Sequence, residues 1–336
     1  MRGWLRKSIL FLGVIAFGGV VLAQGTAGSA EDATAQALVD AVVFVETTVL
    51  PDARSIDILG RERAGSGVVI DARGYVLTIG YLVMEAESIS VTNNADRTVP
   101  AALVAYDHAT GFALLKLLAP LDAQPMALGD SSAVREREVV MVLPFGGREA
   151  AQLERVVSKR PFTGSWEYML DEAIFVAPQT RRFAGAALIG RDRRLIGLGS
   201  LGVGDAMGDG GAVPGNMFVP INILKPILAD MIADGKRKGG GRPWLGMATQ
   251  QVHGMLVVTR VSPEGPAASA GIEPGDVVIG VSSAVVHTQS EMYRKVWGLG
   301  DAGIKVPLWV RRGATVREVV VDSIERTAYF RQPTLQ

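Results

Sequence analysis

The sequence predicts a mainly β protein in which an antiparallel barrel or sandwich precedes a smaller α+β module. Short apolar runs recur from residue 65 onward, separated by glycine, aspartate and proline, which is typical of short antiparallel strands and not of a doubly wound sheet. A basic, glycine-rich segment at residues 236–243 divides these strands into two groups. With 40 glycines, 48% hydrophobic and 20% charged residues, the composition indicates tight turns around a buried interior and excludes disorder.

Length, charge and cysteine content narrow the class of protein further. A chain of 336 residues is too long for one ordinary core and suits two domains plus an export segment. Lysine plus arginine and aspartate plus glutamate number 34 each, so the net charge favours neither nucleic acid nor an anionic membrane surface. Cysteine is absent, which excludes disulfides, a thiol nucleophile and lipid attachment at a cysteine.

The first 30 residues, 1–30, have the pattern of an export signal. Arg2, Arg6 and Lys7 precede an apolar run at residues 8–23, and small residues follow it. The run is interrupted by glycines and is shorter than the roughly 20 apolar residues that comfortably span a bilayer. We therefore expect a signal peptide that is cleaved on export; the alternative is an uncleaved N-terminal membrane anchor.

The first domain is expected to extend over residues 31–235. It begins with a short helix at residues 31–39 and a β-branched strand at residues 41–49. Further strands are predicted at residues 67–70, 75–77, 88–91, 101–105, 112–117, 139–143, 173–176 and 195–201. A helical stripe of apolar residues that begins near Asn222 then closes the domain.

The rest of the chain is divided into a linker, a second domain and a tail. Residues 236–243 are expected to form a flexible linker, because a few basic residues among glycines are usually solvated and do not form a nucleic-acid site. Strands return in residues 244–325, where a helical segment at residues 290–299 makes the module α+β. The tail at residues 326–336 has no strong pattern and is expected to be loosely held.

Several short motifs follow one another in an order known from one protein family. They are residues 65–71 (GSGVVID), 74–83, 107–116, 128–131 (LGDS), 144–146 (PFG), 218–220 (FVP), 244–247 (WLGM), 262–268 (SPEGPAA) and 271–278 (GIEPGDVV). In this order and spacing the chain resembles trypsin-like proteases of the HtrA/Deg type, in which a PDZ domain follows the protease domain. The resemblance implies a trypsin-like double β-barrel followed by a small α+β PDZ domain.

The resemblance places the catalytic slots of the protease on residues that lack the necessary chemistry. The histidine slot holds Tyr81, whose phenol is protonated at neutral pH and is a poor base. The aspartate slot holds Gly111, which has no side chain to orient an imidazole. The nucleophile slot holds Ala184, and a methyl group cannot attack a carbonyl. We therefore expect no catalytic residue in these slots.

The turn that would form the oxyanion hole also departs from the family. Arg182 stands where the family has glycine, and Phe183 stands where it has a small polar residue. The amide donors of this turn need a particular backbone shape, and losing one donor costs about 3 kcal/mol of transition-state stabilisation. The sequence therefore predicts that the oxyanion site is impaired as well.

Other side chains would have to replace the missing groups if the domain were catalytic. The candidates are His108, Asp107, Ser158, Ser165 and Ser200. We expect His108 at the surface, Asp107 in a turn, and the serines in ordinary loops and strands. No histidine pair has metal-ligand spacing, and the glycine-rich residues 208–211 lack the strand-to-helix setting that cradles phosphate. No metal or cofactor is expected.

The second domain has the features by which PDZ domains bind an extended peptide C-terminus. The residues expected at that site are Trp244, Leu245, Gly246 and Met247 in the carboxylate-binding loop, and Met292, Tyr293 and Val296 in the helix across the groove. Gly246 would let the peptide backbone approach closely. The alternative, which spacing leaves open, is that the apolar side chains only pack the core.

Together these observations predict an exported protein that binds polypeptides without cleaving them. Its expected role is that of a scaffold, adaptor or chaperone-like factor in the periplasm or cell envelope. The expected partners are polypeptide C-termini or unfolded proteins, and the resemblance implies a homotrimer or a hetero-oligomer with an active relative. Two alternatives stay open: a serine endopeptidase of envelope protein quality control with unconventional catalytic residues, and a structural envelope protein whose PDZ groove is closed.

Overall fold

The computed structural model describes residues 24–332, so the apolar run of the predicted export signal, residues 8–23, lies outside the described residues. The chain divides into a unit that ends at Gln36 and a unit, from Ala37 onward, that contains the strands given below. The fold is mainly β, with two closed barrels and then a smaller α+β module, so the predicted fold class is confirmed. Between residues 24 and 332, no helix has both the length and the apolar character needed to cross a bilayer.

Six antiparallel strands form the first barrel. They are β1 (Val42–Val49), β2 (Glu62–Val69), β3 (Tyr75–Ile79), β4 (Ala86–Thr92), β5 (Thr98–Tyr106) and β6 (Phe112–Leu117). The barrel closes in the order β1-β2-β3-β6-β5-β4. Val43 and Val45 of β1 point to its interior and pack with Val76 and Val91, because alternate residues of a strand face the same side.

Six more antiparallel strands form the second barrel. They are β7 (Val139–Leu143), β8 (Gln152–Gly164), β9 (Tyr168–Ala177), β10 (Ala187–Ile189), β11 (Leu195–Val203) and β12 (Gly215–Pro220), closed in the order β10-β11-β12-β9-β8-β7. Leu77 and Phe112 of the first barrel share one apolar cluster with Phe175 and Leu198 of the second. This shared core fixes the two barrels against each other.

The last sheet lies in residues 244–325. Its strands are β13 (Met247–Val252), β14 (Met255–Val261), β15 (Val277–Val281), β16 (Ala284–Val285), β17 (Lys305–Arg312) and β18 (Thr315–Asp322). The order is β13-β14-β15-β17-β18, with β16 paired to β15. Strand β13 is therefore an edge strand, and one of its sides has no neighbouring strand of this sheet.

The described helices are short apart from the first. They are α1 (Gln24–Asp40), α2 (Ile56–Leu59), α3 (Leu228–Asp234), α4 (Pro266–Ser269), α5 (Gln289–Trp297) and α6 (Arg326–Tyr329). The apolar stripe near Asn222 forms a 3-10 turn, Ile221–Ile223, and then α3, which differs from the single helix expected. Pro226 causes the break, because it lacks an amide hydrogen and its ring disfavours helical backbone at the residue before it.

The linker at residues 236–243 has no regular secondary structure, yet its two arginine side chains make specific contacts. Arg237 forms an ion pair with Asp107, in which Nε lies 2.9 Å from Oδ1. The guanidinium of Arg242 lies 4.1 Å from the ring centroid of Trp297 in α5. The linker is therefore anchored to both neighbouring domains, in contrast to the flexible connection expected from its composition.

The described part of the tail, residues 326–332, is also held by specific contacts. The Tyr329 hydroxyl donates to the carbonyl of Pro263 at 2.9 Å, and its ring lies 4.7 Å from that of Trp244. The backbone amide of Arg331 donates to the Glu85 carboxylate at 2.9 Å. The expectation of a loosely held tail is wrong for these residues, because aromatic side chains in the tail find partners in both domains.

Candidate functional site

Tyr81 stands in the 3-10 turn Gly80–Leu82, directly after β3. Its hydroxyl donates to the carbonyl of Ser200 in β11 at 2.8 Å, and its own carbonyl accepts a hydrogen bond from Arg63 at 2.9 Å. Burial, with a smaller effect of Tyr106, raises the pKa of Tyr81 far above its usual range. The phenol is therefore fixed in its protonated form and already uses its proton in a hydrogen bond.

Gly111 lies in the turn between β5 and β6 with a φ of 85°, a backbone conformation that favours glycine. A Cβ atom at this position would lie 3.1 Å from the hydroxyl oxygen of Tyr168. That hydroxyl donates to the carbonyl of Thr110 at 2.7 Å, and burial raises the pKa of Tyr168. The space that a side chain at residue 111 would enter is thus bordered by a neutral, hydrogen-bonded tyrosine.

Ala184 lies in a turn that joins the two barrels. Its carbonyl accepts a hydrogen bond from the Ser66 amide of β2 at 2.8 Å, and the Gly185 amide donates to the Gly199 carbonyl of β11 at 2.8 Å. Ala184 and Tyr81 both pack against the core of the first barrel. The Arg182 side chain turns away from this core and donates to the Phe145 carbonyl at 3.3 Å.

His108 is half-buried, whereas we expected it at the surface. Its ring lies 3.9 Å from the ring of Tyr106 and 5.8 Å from that of Phe330, and its Nδ1 atom is buried without a hydrogen-bond partner. Burial, together with the positive charge of Arg326, holds the pKa of His108 well below its usual range. This imidazole is therefore neutral and a weak base.

The Asp107 carboxylate and the Ser158 hydroxyl make structural contacts, and Ser200 accepts from Tyr81 through its backbone carbonyl. The Asp107 carboxylate accepts hydrogen bonds from the amide and the hydroxyl of Thr110 at 2.9 and 2.5 Å, as a turn residue does. Ser158 donates to the carbonyl of Ala206 at 2.7 Å. Throughout residues 24–332, no serine hydroxyl is hydrogen-bonded to an imidazole, and no group of histidine and acidic side chains could hold a metal ion.

The glycine-rich residues 208–211 form a surface loop around Asp205. The amides of Gly208 and Gly210 donate to the Asp205 carboxylate at 2.7 and 2.9 Å. These hydrogen bonds lower the pKa of Asp205. The amides that a phosphate would need therefore already bind an internal carboxylate.

The loop predicted to bind a peptide carboxylate, in the second domain, has three amides that point to one place. Leu245, Gly246 and Met247 donate to the carboxylate of Glu167 at 2.9, 2.7 and 3.1 Å. Gly246 has a φ of 79°, which lets successive amides converge. Glu167 belongs to the turn between β8 and β9 of the second barrel, and it is only 8% exposed.

The other residues predicted for the peptide site are buried in the same domain. Met292, Tyr293 and Val296 lie on one face of α5 and share an apolar cluster with Leu245 and Met247. Thr288 caps this helix through a reciprocal bond with Glu291. The indole of Trp244 packs against the tail at Tyr329, and its backbone pairs with Ile324.

Two contributors to these sites were not predicted from the sequence. Glu167 and Tyr168 stand next to each other at the start of β9, where one reaches the second domain and the other the turn at Gly111. Nothing local distinguishes Glu167 from any acidic turn residue, and its partners lie 78 to 80 residues away along the chain. No sequence pattern in the single chain indicated either contact.

Comparison with known protein families agrees with this architecture. Residues 65–198 match the trypsin-like peptidase domain, and residues 243–322 match the PDZ domain. The first match begins in β2 and ends in β11, so it covers the turns that hold Tyr81, Gly111 and Ala184. The second covers the loop and the helix described above.

Individual relatives are bacterial endoproteases. The chain is 26% identical over 276 residues to the periplasmic pH-dependent serine endoprotease DegQ of Escherichia coli (strain K12), covering 77% of this chain and 59% of DegQ. It is 28% identical over 266 residues to the periplasmic serine endoprotease DegP of Salmonella typhimurium, covering 74% and 54%. It is 29% identical over 274 residues to the serine endoprotease DegS of Escherichia coli (strain K12), covering 74% and 73%. The chain therefore spans little more than half the length of DegQ and DegP.

Solved structures of similar fold include HtrA-type proteases. The HtrA-type protease AlgW with a decapeptide superimposes with a TM-score of 0.55 at 20% identity, covering 89% of this chain and 98% of AlgW. The serine endoprotease from Yersinia pestis gives a TM-score of 0.51 at 21% identity, covering 88% and 97%. At such identities the likeness is one of fold.

Proposed function

We propose that this chain, which belongs to the HtrA/Deg family of trypsin-like peptidase and PDZ proteins, binds polypeptides without cleaving them. Its proposed role is that of a scaffold, adaptor or chaperone-like factor. Without turnover, any affinity of the protease-like groove for a polypeptide leads to retention, so a domain with an intact barrel and an inert cleft is suited to holding a client.

The observation that carries the proposal is the hydrogen bond from the Tyr81 hydroxyl to the Ser200 carbonyl at 2.8 Å. A general base must accept a proton from the attacking alcohol, whereas this phenol donates its own. The raised pKa of Tyr81 makes the phenolate scarce at neutral pH. Gly111 and Ala184 supply neither an acid nor a nucleophile beside it.

Peptide binding is assigned to the loop before β13 and to the outer edge of that strand. An extended peptide adds to such an edge as a further strand, while the loop amides receive its terminal carboxylate. The proposed site residues are Trp244, Leu245, Gly246 and Met247, with Met292, Tyr293 and Val296 supporting the groove from α5. The convergence of three loop amides on one carboxylate supports this assignment.

The cell envelope is the proposed location. The names of DegQ and DegP place those relatives in the periplasm, and the basic residues before the apolar run at residues 8–23 are consistent with export of this chain. The proposed partners are polypeptide C-termini or unfolded proteins, and assembly as a homotrimer or with an active relative is proposed from the resemblance alone.

A fluorophosphonate probe and a casein digest test the absence of catalysis. The full chain is expected to take up no label and to cleave casein at least roughly six orders of magnitude more slowly than an active relative such as DegQ. Ala184→Ser is also expected to stay unlabelled, because no base stands ready to take the proton of the new hydroxyl. Labelling of the unaltered chain, or many casein turnovers by it, would show that the domain is an active protease.

A further inference from the structure

The turn between β8 and β9 carries Glu167 into the second domain. Glu167 has a φ of 58°, a left-handed conformation that is unusual for a residue other than glycine. Its Oε2 atom accepts from the Leu245 amide, and its Oε1 atom accepts from the amides of Gly246 and Met247. Both oxygens of one carboxylate are thus shared among three successive loop amides, which is the arrangement a peptide terminus would need.

The contact extends from the loop to strand β13. The Thr249 amide, two residues after Met247, donates to the carbonyl of Ser165 at 3.4 Å. Ser165 precedes Glu167 by two residues, so the turn presents a backbone carbonyl and a carboxylate at the spacing of an added strand. The turn therefore contacts the outer edge of β13 as well as the loop.

The helix across the groove also binds the turn. The Tyr293 hydroxyl of α5 donates to the Gly164 carbonyl at 2.9 Å and accepts from the Glu167 amide at 3.1 Å. Met169, just after the turn, is 5% exposed and packs within the apolar cluster of the second domain. The β8–β9 turn thus contacts the loop, the edge strand and the helix at the same time.

We propose that Glu167 is an internal substitute for the terminal carboxylate of a peptide, and that the β8–β9 turn must leave before a peptide can bind. This inference rests on the proposed peptide-binding function. The two ligands exclude each other, because the three loop amides cannot receive two carboxylates. The apparent dissociation constant for a peptide is then the intrinsic constant divided by the fraction of molecules in which the turn has left the loop.

The cost of burying Glu167 makes its release feasible. Burial raises the pKa of Glu167 to about 7, although the amides of Leu245, Met247 and Gly246 and the charge of Arg326 act to lower it. The nearby ion pair between Asp171 of β9 and Arg294 of α5, at 3.0 Å, is solvent-exposed and adds little stability. The charged groups Glu167 and Asp171 therefore contribute little to the stability of the bound turn.

The affinity for a peptide is expected to depend on pH. A solvated glutamate has a pKa near 4.5, whereas Glu167 in the bound turn has a pKa of about 7. Binding of the turn is therefore coupled to uptake of a proton when the pH lies between these two values. The bound turn is thus favoured at low pH and loses this advantage as the pH rises through about 7. Between about pH 5.5 and about pH 7.5 the affinity for a peptide should rise roughly tenfold.

The groups that face Glu167 are Tyr293 of α5, whose raised pKa keeps it neutral in this range, and Arg326 of α6. Glu167→Gln removes the titrating group, and its affinity for the same peptide should vary much less over this interval. An equal rise in the Glu167→Gln variant would assign the pH effect to another group and contradict this expectation.

The competition is tested with a fluorescent C-terminal peptide library on the full chain. Glu167→Gly removes the carboxylate at a φ that glycine adopts readily, and it is expected to tighten peptide binding about tenfold or more. Glu167→Gln is the variant of nearly equal size. Asp171→Asn is the matched control, because it removes a nearby carboxylate, in β9, that contacts α5 at the surface, and its affinity should equal that of the unaltered chain. Amidated peptides should bind none of these proteins.

A second measurement separates this inference from the proposed function. Hydrogen exchange of the amides of Leu245, Gly246 and Met247 should be at least about tenfold faster in Glu167→Gly than in the unaltered chain or in Asp171→Asn. Equal peptide affinity in Glu167→Gly and the unaltered chain, or unchanged amide exchange, would overturn the inference. If no variant binds any peptide while the exchange is accelerated, Glu167 occupies the loop but the proposed peptide-binding function is wrong.

Discussion

Replacing Gly185 by alanine is expected to lower the free energy of unfolding of the barrels by about 4 kcal/mol. A Cβ atom at this residue would lie 1.9 Å from the carbonyl oxygen of Ser66, and the φ of Gly185 is 70°. Ser66 cannot withdraw easily, because its carbonyl accepts a hydrogen bond from Thr78 and its amide donates to Ala184. Denaturation of the purified variant by urea, followed by tryptophan fluorescence, measures the loss.

Gly147→Ala is the matched control for this substitution. Gly147 has a φ of 77°, close to that of Gly185, but nothing lies within 4 Å of the position of its Cβ atom. Its cost should be limited to backbone strain of about 1 kcal/mol. If both variants lost the same stability, the steric argument for Gly185 would fail, and strain alone would account for the change.

The loss of stability expected for Gly185→Ala explains why this turn still has a glycine after the nucleophile slot, although the slot itself holds alanine. In this chain the turn has a structural task, since Ala184 joins β2 and Gly185 joins β11 through backbone hydrogen bonds. Gly199 is constrained in the same way, because a Cβ atom there would lie 2.0 Å from the Phe183 carbonyl. The geometry of the turn is therefore required by barrel packing, whatever residue occupies the nucleophile slot.

The predictable part of the fold depends on local patterns. Short apolar runs between turn residues indicate strands, and this information was sufficient for β6 and β7, which occupy the bounds expected for them. The helix expected after Asn222 was interrupted by Pro226, a local signal that the apolar periodicity concealed. The ordered tail could not be predicted, because Tyr329 depends on partners far away in the sequence.

The candidate sites also have a part that the sequence predicts and a part that it does not. Tyr81, Gly111 and Ala184 are identified by motifs within a few residues of them, whereas Ser200, which accepts from the Tyr81 hydroxyl, and Tyr168, the neighbour of Gly111, belong to the other barrel. The contact of Glu167 with the loop at Gly246 joins two domains, so no single-domain pattern contains it. A motif predicts the type of residue in a slot, while its chemistry also depends on groups that only the tertiary fold brings near.

Gly111→Asp, which restores the acid of the family, is expected to lower the free energy of unfolding by about 3 kcal/mol. The backbone there, with a φ of 85°, disfavours a side chain, and the new Cβ atom would stand 3.1 Å from the Tyr168 hydroxyl oxygen. The carboxylate would also lie near Asp107, which is 7% exposed and whose carbonyl accepts the Gly111 amide. Thermal and urea denaturation would measure the cost.

Gly111→Asn is the control of equal shape, because asparagine tolerates a left-handed backbone and carries no charge. Its cost should be smaller, and the difference between the two variants reports the repulsion and desolvation of the carboxylate. For the same reasons the combination Tyr81→His, Gly111→Asp and Ala184→Ser is expected to remain unlabelled by a fluorophosphonate, since Tyr168 and the turn at Arg182 still have their present positions. A stable triple variant that takes up the probe would show that the three slots alone separate this chain from a working protease.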